Sequence, residues 1–316
     1  MATTPEASVI ICAHNPRANY FSRVLEALRQ QSLCMENWEF LLIDSASDVP
    51  LASKWNMSWH PHARHIREDE LGVAVARRRG MREAAADLLI FVDDDNVLGQ
   101  NYLLDAVAIK REWPHLGVWG SGALIPEFES KPRECVTHLL PYLALRENSS
   151  PQWSNVFWCM PSMPWGAGMC VRASVATAYC EYCQNSSIQI ADRRGTDSLM
   201  SAGDLEICRV ACKIGLGMGT FPELRITHLM PKERVELGYL LKVFEGTCAS
   251  NTLLDYKWTG KIPQSPFGLR GFLSVLYQLI THPGLDSVVL FRMHLANIRA
   301  MLRVKRIIAE SQTQSA

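Results

Sequence analysis

Leu88-Leu89-Ile90-Phe91-Val92-Asp93-Asp94-Asp95 is the stretch whose reading decides the fold class. Five apolar residues run straight into three carboxylates. A continuous apolar run of this length suits a strand buried on both faces of a parallel sheet. Carboxylates at the C-terminal end of such a strand sit where open α/β sheets bind their ligands. In an extended chain side chains alternate with period two, which would aim Asp93 and Asp95 the same way. Two carboxylates on one side make an oxygen site for Mg²⁺ or Mn²⁺. Such an ion can bridge a diphosphate and neutralise a leaving group, and three crowded carboxylates repel one another without a cation or strong donors. A turn or a helix N-cap would need one Asp, not three.

Working outward, Ser8 to Ala13 and Trp38 to Ile43 are two more apolar strands. Between them Tyr20 to Gln31 carries Phe21, Val24, Leu25 and Leu28 at helical spacing. This β-α-β start implies a right-handed crossover and a parallel sheet. Pro50 to Glu70 reads as irregular. Gly72 to Ala86, Tyr102 to Trp113 and Asp204 to Ile214 read as helices, and Gly219 to His228 contains an edge or terminal strand. Glu127 to Pro164 is long and weakly periodic, the kind of segment that is functional or disordered. Its Trp153, Phe157 and Trp158 argue against disorder. Residues 236–316 read as a mostly helical extension, divided by Pro263, Pro266 and Pro283, after a main domain over residues 1–235.

The bulk properties exclude more than they assign. Lys+Arg and Asp+Glu balance at 32 each, so no global charge attracts nucleic acid. Cys180 and Cys183 form a lone pair with no second pair at zinc spacing, and the scattered thiols fit a reducing compartment. Met1 to Ala7 lacks the charged start and apolar core of a secretory leader, and no apolar run reaches the roughly 18 residues that span a bilayer. A cytoplasmic location is expected. No G-x-G-x-x-G follows the first strand, which disfavours a dinucleotide-binding dehydrogenase.

Four segments occur in order: Ser8-Val9-Ile10-Ile11-Cys12-Ala13-His14-Asn15, Leu41-Leu42-Ile43-Asp44, Gly72 to Gly80, and Phe91-Val92-Asp93-Asp94-Asp95-Asn96. Pro164-Trp165-Gly166-Ala167-Gly168-Met169, Gly203-Asp204-Leu205-Glu206 and Thr227-His228 follow. As a set, over roughly residues 8–245, they resemble glycosyltransferase family 2. The resemblance implies a GT-A fold: α/β, with a mostly parallel central sheet, helices on both faces and a helical C-terminal extension. It implies an inverting transfer from a nucleotide-sugar donor to a carbohydrate or lipid-linked acceptor, with Mn²⁺ or Mg²⁺ as cofactor, in cell-surface polysaccharide or glycoconjugate synthesis. By that match Ala13, His14 and Asn15 border the nucleobase and Asp44 accepts a hydrogen bond from it. Arg77, Asp93 and Asp94 line the nucleotide-sugar site, and Asp95 and His228 ligate the metal.

Inverting transfer needs a base for the acceptor hydroxyl, and a carboxylate in reach is the usual choice. The family places it in a Glu-Asp pair at a helix start. Here Gly203 stands where the Glu would be, and Asp204 is the expected base. Its alternative role is the N-cap of that helix. Trp158, Trp165 and Gly166 are the expected acceptor residues, with core packing as the alternative for the indoles. In the last helix Phe291, Leu295, Ile298 and Leu302 form a stripe beside Arg292, Arg299, Arg303 and Arg306. That face covers its own domain or, alternatively, lies on an anionic membrane. Two rival functions are a nucleotidyltransferase, disfavoured by the absence of glycine from Cys12 to Arg17, and a catalytically weak nucleotide-sugar binder, favoured by the missing Glu.

Overall fold

The computed structural model describes residues 4–186, 199–261, 269–281 and 284–314, so Pro263, Pro266 and Pro283 lie outside the described residues. In chain order the elements are β1 (Ala7–Ala13), α1 (Ala18–Arg29), β2 (Trp38–Ser45), α2 (Leu51–Lys54), β3 (Ala63–Glu68), α3 (Val73–Glu83), β4 (Leu88–Val92), β5 (Asn96–Leu98) and α4 (Tyr102–Glu112). Then come β6 (Leu116–Phe128), β7 (Arg146–Glu147), β8 (Gln152–Ser154), β9 (Cys170–Arg172), α5 (Ala173–Gln184), α6 (Gly203–Lys213), β10 (Gly217–Met230), α7 (Leu237–Thr259), α8 (Leu269–Thr281) and α9 (Leu285–Gln314).

The strands form one sheet in the order β3-β2-β1-β4-β9-β6-β10-β5, with β7 on β6 and β8 on β10. Its first four strands are parallel: β1 pairs with β2 and β4, and β2 with β3. β9 joins β4 and β6 antiparallel, and β5 joins β10 antiparallel. The expected α/β architecture is present, with central parallel strands, helices around them and C-terminal helices. Val9, Ile11, Phe40 and Leu42 face α1 and α4, whose Phe21, Val24, Leu103 and Val107 complete one core. Ile10 and Ile43 face the other way, towards α3, because successive strand side chains alternate. There a Cβ at Gly80 would lie 2.6 Å from the Ile10 side chain, so only glycine lets α3 approach this closely. Both faces are thus covered, which is why β1, β2 and β4 read as unbroken apolar runs.

Two expectations change. β3 lies inside the segment read as irregular. Its Ala63-Arg64-His65-Ile66-Arg67-Glu68 is half-exposed and charged because it is the sheet edge, where charge blocks further pairing. Conversely β10 is interior, since β5 pairs outside it.

The described residues fall into two compact units, one within 1–127, 145–185 and 203–229, the other within 128–144, 186–202 and 230–316. In the second unit α9 buries Val289, Ala296, Ala300, Val304 and Ile308, and the small residues allow close packing on α7. Tyr142 meets Phe244 of α7 edge-on at 5.1 Å, and Arg299 donates to Glu245 at 2.8 Å. The stripe read from sequence is therefore not the buried face of α9: Ile298 and Leu302 are exposed. The helix carries apolar residues on two sides, and the small ones pack. No described helix is long and apolar enough to cross a membrane.

Candidate functional site

Parallel register brings three strand ends to one edge of the sheet. Ala13 pairs with Asp44, and Ile11 with Val92, so His14, Asp44 and Asp93 leave the sheet on the same side. Ala13 is buried at the end of β1. The exposed His14 donates from Nδ1 to the Ser45 carbonyl at 2.8 Å, while its Nε2 accepts from Asn15 Nδ2 at 3.2 Å. Asn15 sits at φ 46°, a region asparagine tolerates. Its side chain and Asp48 bond reciprocally, at 3.0 and 3.1 Å. The two loops after β1 and β2 are thereby locked together.

Asp44 is the buried anchor of this corner. Its Oδ1 accepts from the Ser47 N–H at 3.0 Å, and its Oδ2 from the Leu51 N–H at 3.0 Å and Arg67 Nη1 at 2.8 Å. Burial pushes its carboxyl upward, but the Leu51 and Ser47 donors and the Arg67 guanidinium outweigh that and hold it below the ordinary 3.8. A carboxyl lowered in the folded state stabilises the fold above its unfolded value, and that stability is lost as pH falls through the folded value. Asp44→Asn should cost about 1–3 kcal/mol at pH 7, the price of orphaning these buried donors. It should also flatten the acid limb of a denaturation–pH profile below about pH 4. An acid limb as steep as the wild type's would remove Asp44 from this role.

The centre of the edge is built around Arg77 of α3. Its guanidinium is buried, lies 5.8 Å from the Phe91 ring and donates to Asp93 Oδ1 at 3.3 Å. Cys12 of β1 lies beside this pair, its thiol pushed up to about 12 by burial. A Cβ added to Gly166 would come within 2.9 Å of Arg77 Nη1, so the guanidinium rests against a bare backbone. The N–H of that same Gly166 donates to Asp204 Oδ2 at 3.0 Å. Asp204 opens α6, and its Oδ1 accepts from the Leu205 N–H at 2.9 Å. One continuous path, Asp93–Arg77–Gly166–Asp204, thus joins the strand-end carboxylates to the helix carboxylate. Glu206 is buried and shares its surroundings with Tyr182 of α5, on another face of α6.

Asp93 to Asp95 do not continue the strand. The Asn96 N–H bonds back to the Asp93 carbonyl at 3.1 Å, and the half-buried Asp94 lies in the resulting turn. The extended geometry assumed from the sequence is therefore replaced by a reversal that leads into β5, and the two carboxylates take different neighbours. The buried Asp95 accepts from Asn96 Nδ2 at 2.9 Å and lies 3.6 Å from His228 Nε2. Register places His228 of β10 opposite Asn96 of β5, which delivers the histidine from 133 residues downstream of Asp95. Among the described residues no three His, Cys, Asp or Glu side chains are grouped to hold a metal by themselves.

The tryptophans separate. Trp153 is exposed on β8 and meets His115 edge-on at 4.8 Å, away from the others. Trp158, at φ 71°, lies 4.6 Å from Phe157. That left-handed conformation is costly for a bulky residue. Trp165 is partly buried, and the Arg146 guanidinium stacks on it at 4.9 Å. Two residues escaped the sequence reading. Arg67 could have been found only from the parallel register that sets it against Asp44. Arg146 carries no local signal at all. All ten cysteines are free thiols, and Cys180, half-buried beside Met81, has its thiol raised by burial.

Residues 8–155 match the model of Glycosyl transferase family 2. Over that stretch the chain is similar to glycosyltransferase family 2. The fold agrees with solved structures of this kind. The mannosyltransferase PcManGT of Pyrobaculum calidifontis, in complex with GDP-Man and Mn²⁺, is 17% identical, with a TM-score of 0.58 over 96% of this chain and 87% of that one. TarS 1-349 of S. aureus, in complex with UDP-GlcNAc, is 13% identical, with a TM-score of 0.51 over 98% of this chain and 92% of that one. No curated protein matches the chain in sequence. The chain has the GT-A fold, with the α/β sheet and C-terminal helices described above. The family match ends before Gly166, Asp204 and His228, so their place in the site rests on the geometry of β10, α6 and the loop before β9.

Proposed function

We propose that the chain transfers a sugar from a nucleoside-diphosphate sugar to a hydroxyl of a carbohydrate or lipid-linked acceptor, with inversion, in cell-surface polysaccharide or glycoconjugate synthesis. The observation that carries this reading is the Asp93–Arg77–Gly166–Asp204 path, which supports Asp204 as a base working beside the strand ends that would bind the donor. His14, Asn15 and Asp44 would border the base, beside Ala13. Arg77, Asp93 and Asp94 would hold the ribose and diphosphate. Asp204 would take the acceptor hydroxyl's proton as that oxygen attacks the anomeric carbon. Its two hydrogen bonds both come from backbone N–H donors, which orient the carboxylate and leave further acceptor capacity for a substrate hydroxyl.

A divalent cation fits the residues present. A buried carboxylate facing an imidazole is a reasonable donor set for Mn²⁺ or Mg²⁺, and such ions take their remaining ligands from substrate phosphates. Asp95 and His228 would hold it, and it would supply charge stabilisation for the departing diphosphate. The missing Glu at Gly203 favours a second reading, a weakly active nucleotide-sugar binder. A panel of nucleotide-sugars assayed for metal-dependent release of the nucleoside diphosphate separates the two. Metal-dependent turnover with one donor supports transfer, whereas binding without turnover under every acceptor tried supports the second reading.

The C-terminal helices support peripheral membrane contact for an enzyme in the cytoplasm. On α8, Leu273, Tyr277 and Ile280 are all exposed, at i, i+4 and i+7. On α9, Ile298 and Leu302 are exposed beside Arg292, Lys305 and Arg306. Apolar side chains flanked by cations suit an anionic bilayer surface. Co-sedimentation with vesicles containing an anionic lipid should retain the protein at low salt. Equal retention on neutral vesicles, or none on either, would remove the membrane from this account.

A further inference from the structure

Arg146 lies on β7, paired across from Leu124 of β6. Its guanidinium stacks on Trp165, and its Nη2 donates to the Met160 carbonyl at 3.3 Å. Its Nη1 is buried with no acceptor, and so is the Nε1–H of Trp165. Among the described residues no carboxylate pairs with Arg146, and burial brings the guanidinium down to about 10. Two other arginines of this part of the molecule meet acceptors: the buried Arg77 donates to Asp93, and the half-buried Arg172 to three backbone carbonyls. A desolvated cation without a counter-charge is costly, and stacking on an indole returns only part of that cost.

The position of this donor pair is informative. Trp165 immediately precedes Gly166, whose N–H holds Asp204. Cys208, one helical turn after Asp204, senses the charge of both Asp204 and Arg146. Arg77 already answers Asp93 on the other side of Gly166. We propose that Arg146, with the Trp165 indole N–H, forms an anion-recognising subsite for the acceptor, taking a carboxylate or phosphate borne by the sugar whose hydroxyl faces Asp204. The guanidinium's planar fork matches such groups in a bidentate way that a lysine does not. This rests on the transferase reading for the identity of the ligand as acceptor, but not for the anion preference itself.

The test uses the full chain saturated with UDP or GDP and compares two probes by ligand-observed NMR: methyl glucuronide and its uncharged counterpart, methyl glucoside. The wild type should bind the glucuronide at least tenfold more tightly, with inorganic phosphate competing. Arg146→Gln should reduce that preference to within twofold, and Arg146→Lys should keep part of it. Equal binding of the two probes by the wild type overturns the subsite, without needing any variant to fold. So does a preference that survives Arg146→Gln. UDP and GDP affinity should change by less than twofold in Arg146→Gln; a tenfold loss there would assign the guanidinium to the donor's diphosphate and overturn its acceptor role. Should the wild type bind no nucleotide, the transferase reading fails, while the glucuronide–glucoside comparison still decides the subsite.

Discussion

Asp204→Asn is expected to reduce sugar transfer by about 10²–10⁴-fold while leaving nucleotide affinity within about twofold, because a positioned general base contributes on that order and does not touch the nucleotide. The reasoning is geometric. Both carboxylate oxygens are fixed by backbone N–H groups, from Gly166 and Leu205. An amide in the same place can accept from one of them but presents an NH₂ to the other, and it takes up no proton at neutral pH. The Leu205 contact is local, so the fold should persist, and thermal unfolding should shift by only a few degrees. The measurement is release of nucleoside diphosphate with donor and acceptor both present. Activity within tenfold of wild type would mean that Asp204 only starts α6.

Asp95→Ala is expected to lower turnover about 100-fold or more and to abolish its response to Mn²⁺ or Mg²⁺. A metal at a departing diphosphate is worth several kcal/mol of barrier, and about 3 kcal/mol corresponds to a factor near 100. Asp95 is buried against His228 and Asn96, so the carboxylate is not a surface charge that solvent could replace. In the wild type a chelator should remove activity and added Mn²⁺ restore it; in Asp95→Ala neither treatment should matter. Chelator-insensitive turnover by the wild type would falsify the assignment of a cation to this pair.

The parts legible in the sequence are those set by local pattern. β1, β2 and β4 announced themselves because a strand covered on both faces must be apolar throughout, and α1 because Phe21, Val24, Leu25 and Leu28 recur with the helical period. What stayed hidden depends on pairing between distant segments. β3 is an edge strand whose arginines and histidine erase the apolar signal. β5, β7 and β8 span two or three residues each, too few for any periodicity to register. The aspartate triplet was legible as an acidic loop at a strand end but not in its shape, since the reversal at Asp94 follows from β5 pairing with β10. Asp93 meeting Arg77, and Arg77 resting on Gly166, are contacts between residues up to 89 positions apart, and no spacing within one segment encodes them. On α9 the apolar pattern was real, but helix packing selected the alanine side.

The antiparallel union of β5 with β10 has a consequence for how the chain becomes competent. Asp93, Asp94 and Asp95 leave the ribosome early, yet Gly166, Asp204 and His228 arrive only with the last third of the first unit. A polypeptide halted before Gly217 would hold its acidic loop and the four parallel strands β1 to β4, but no imidazole opposite Asp95. Premature termination in that interval therefore yields a fragment without the Asp95–His228 pair. Asp95 meets His228 only when synthesis of the sheet is finished.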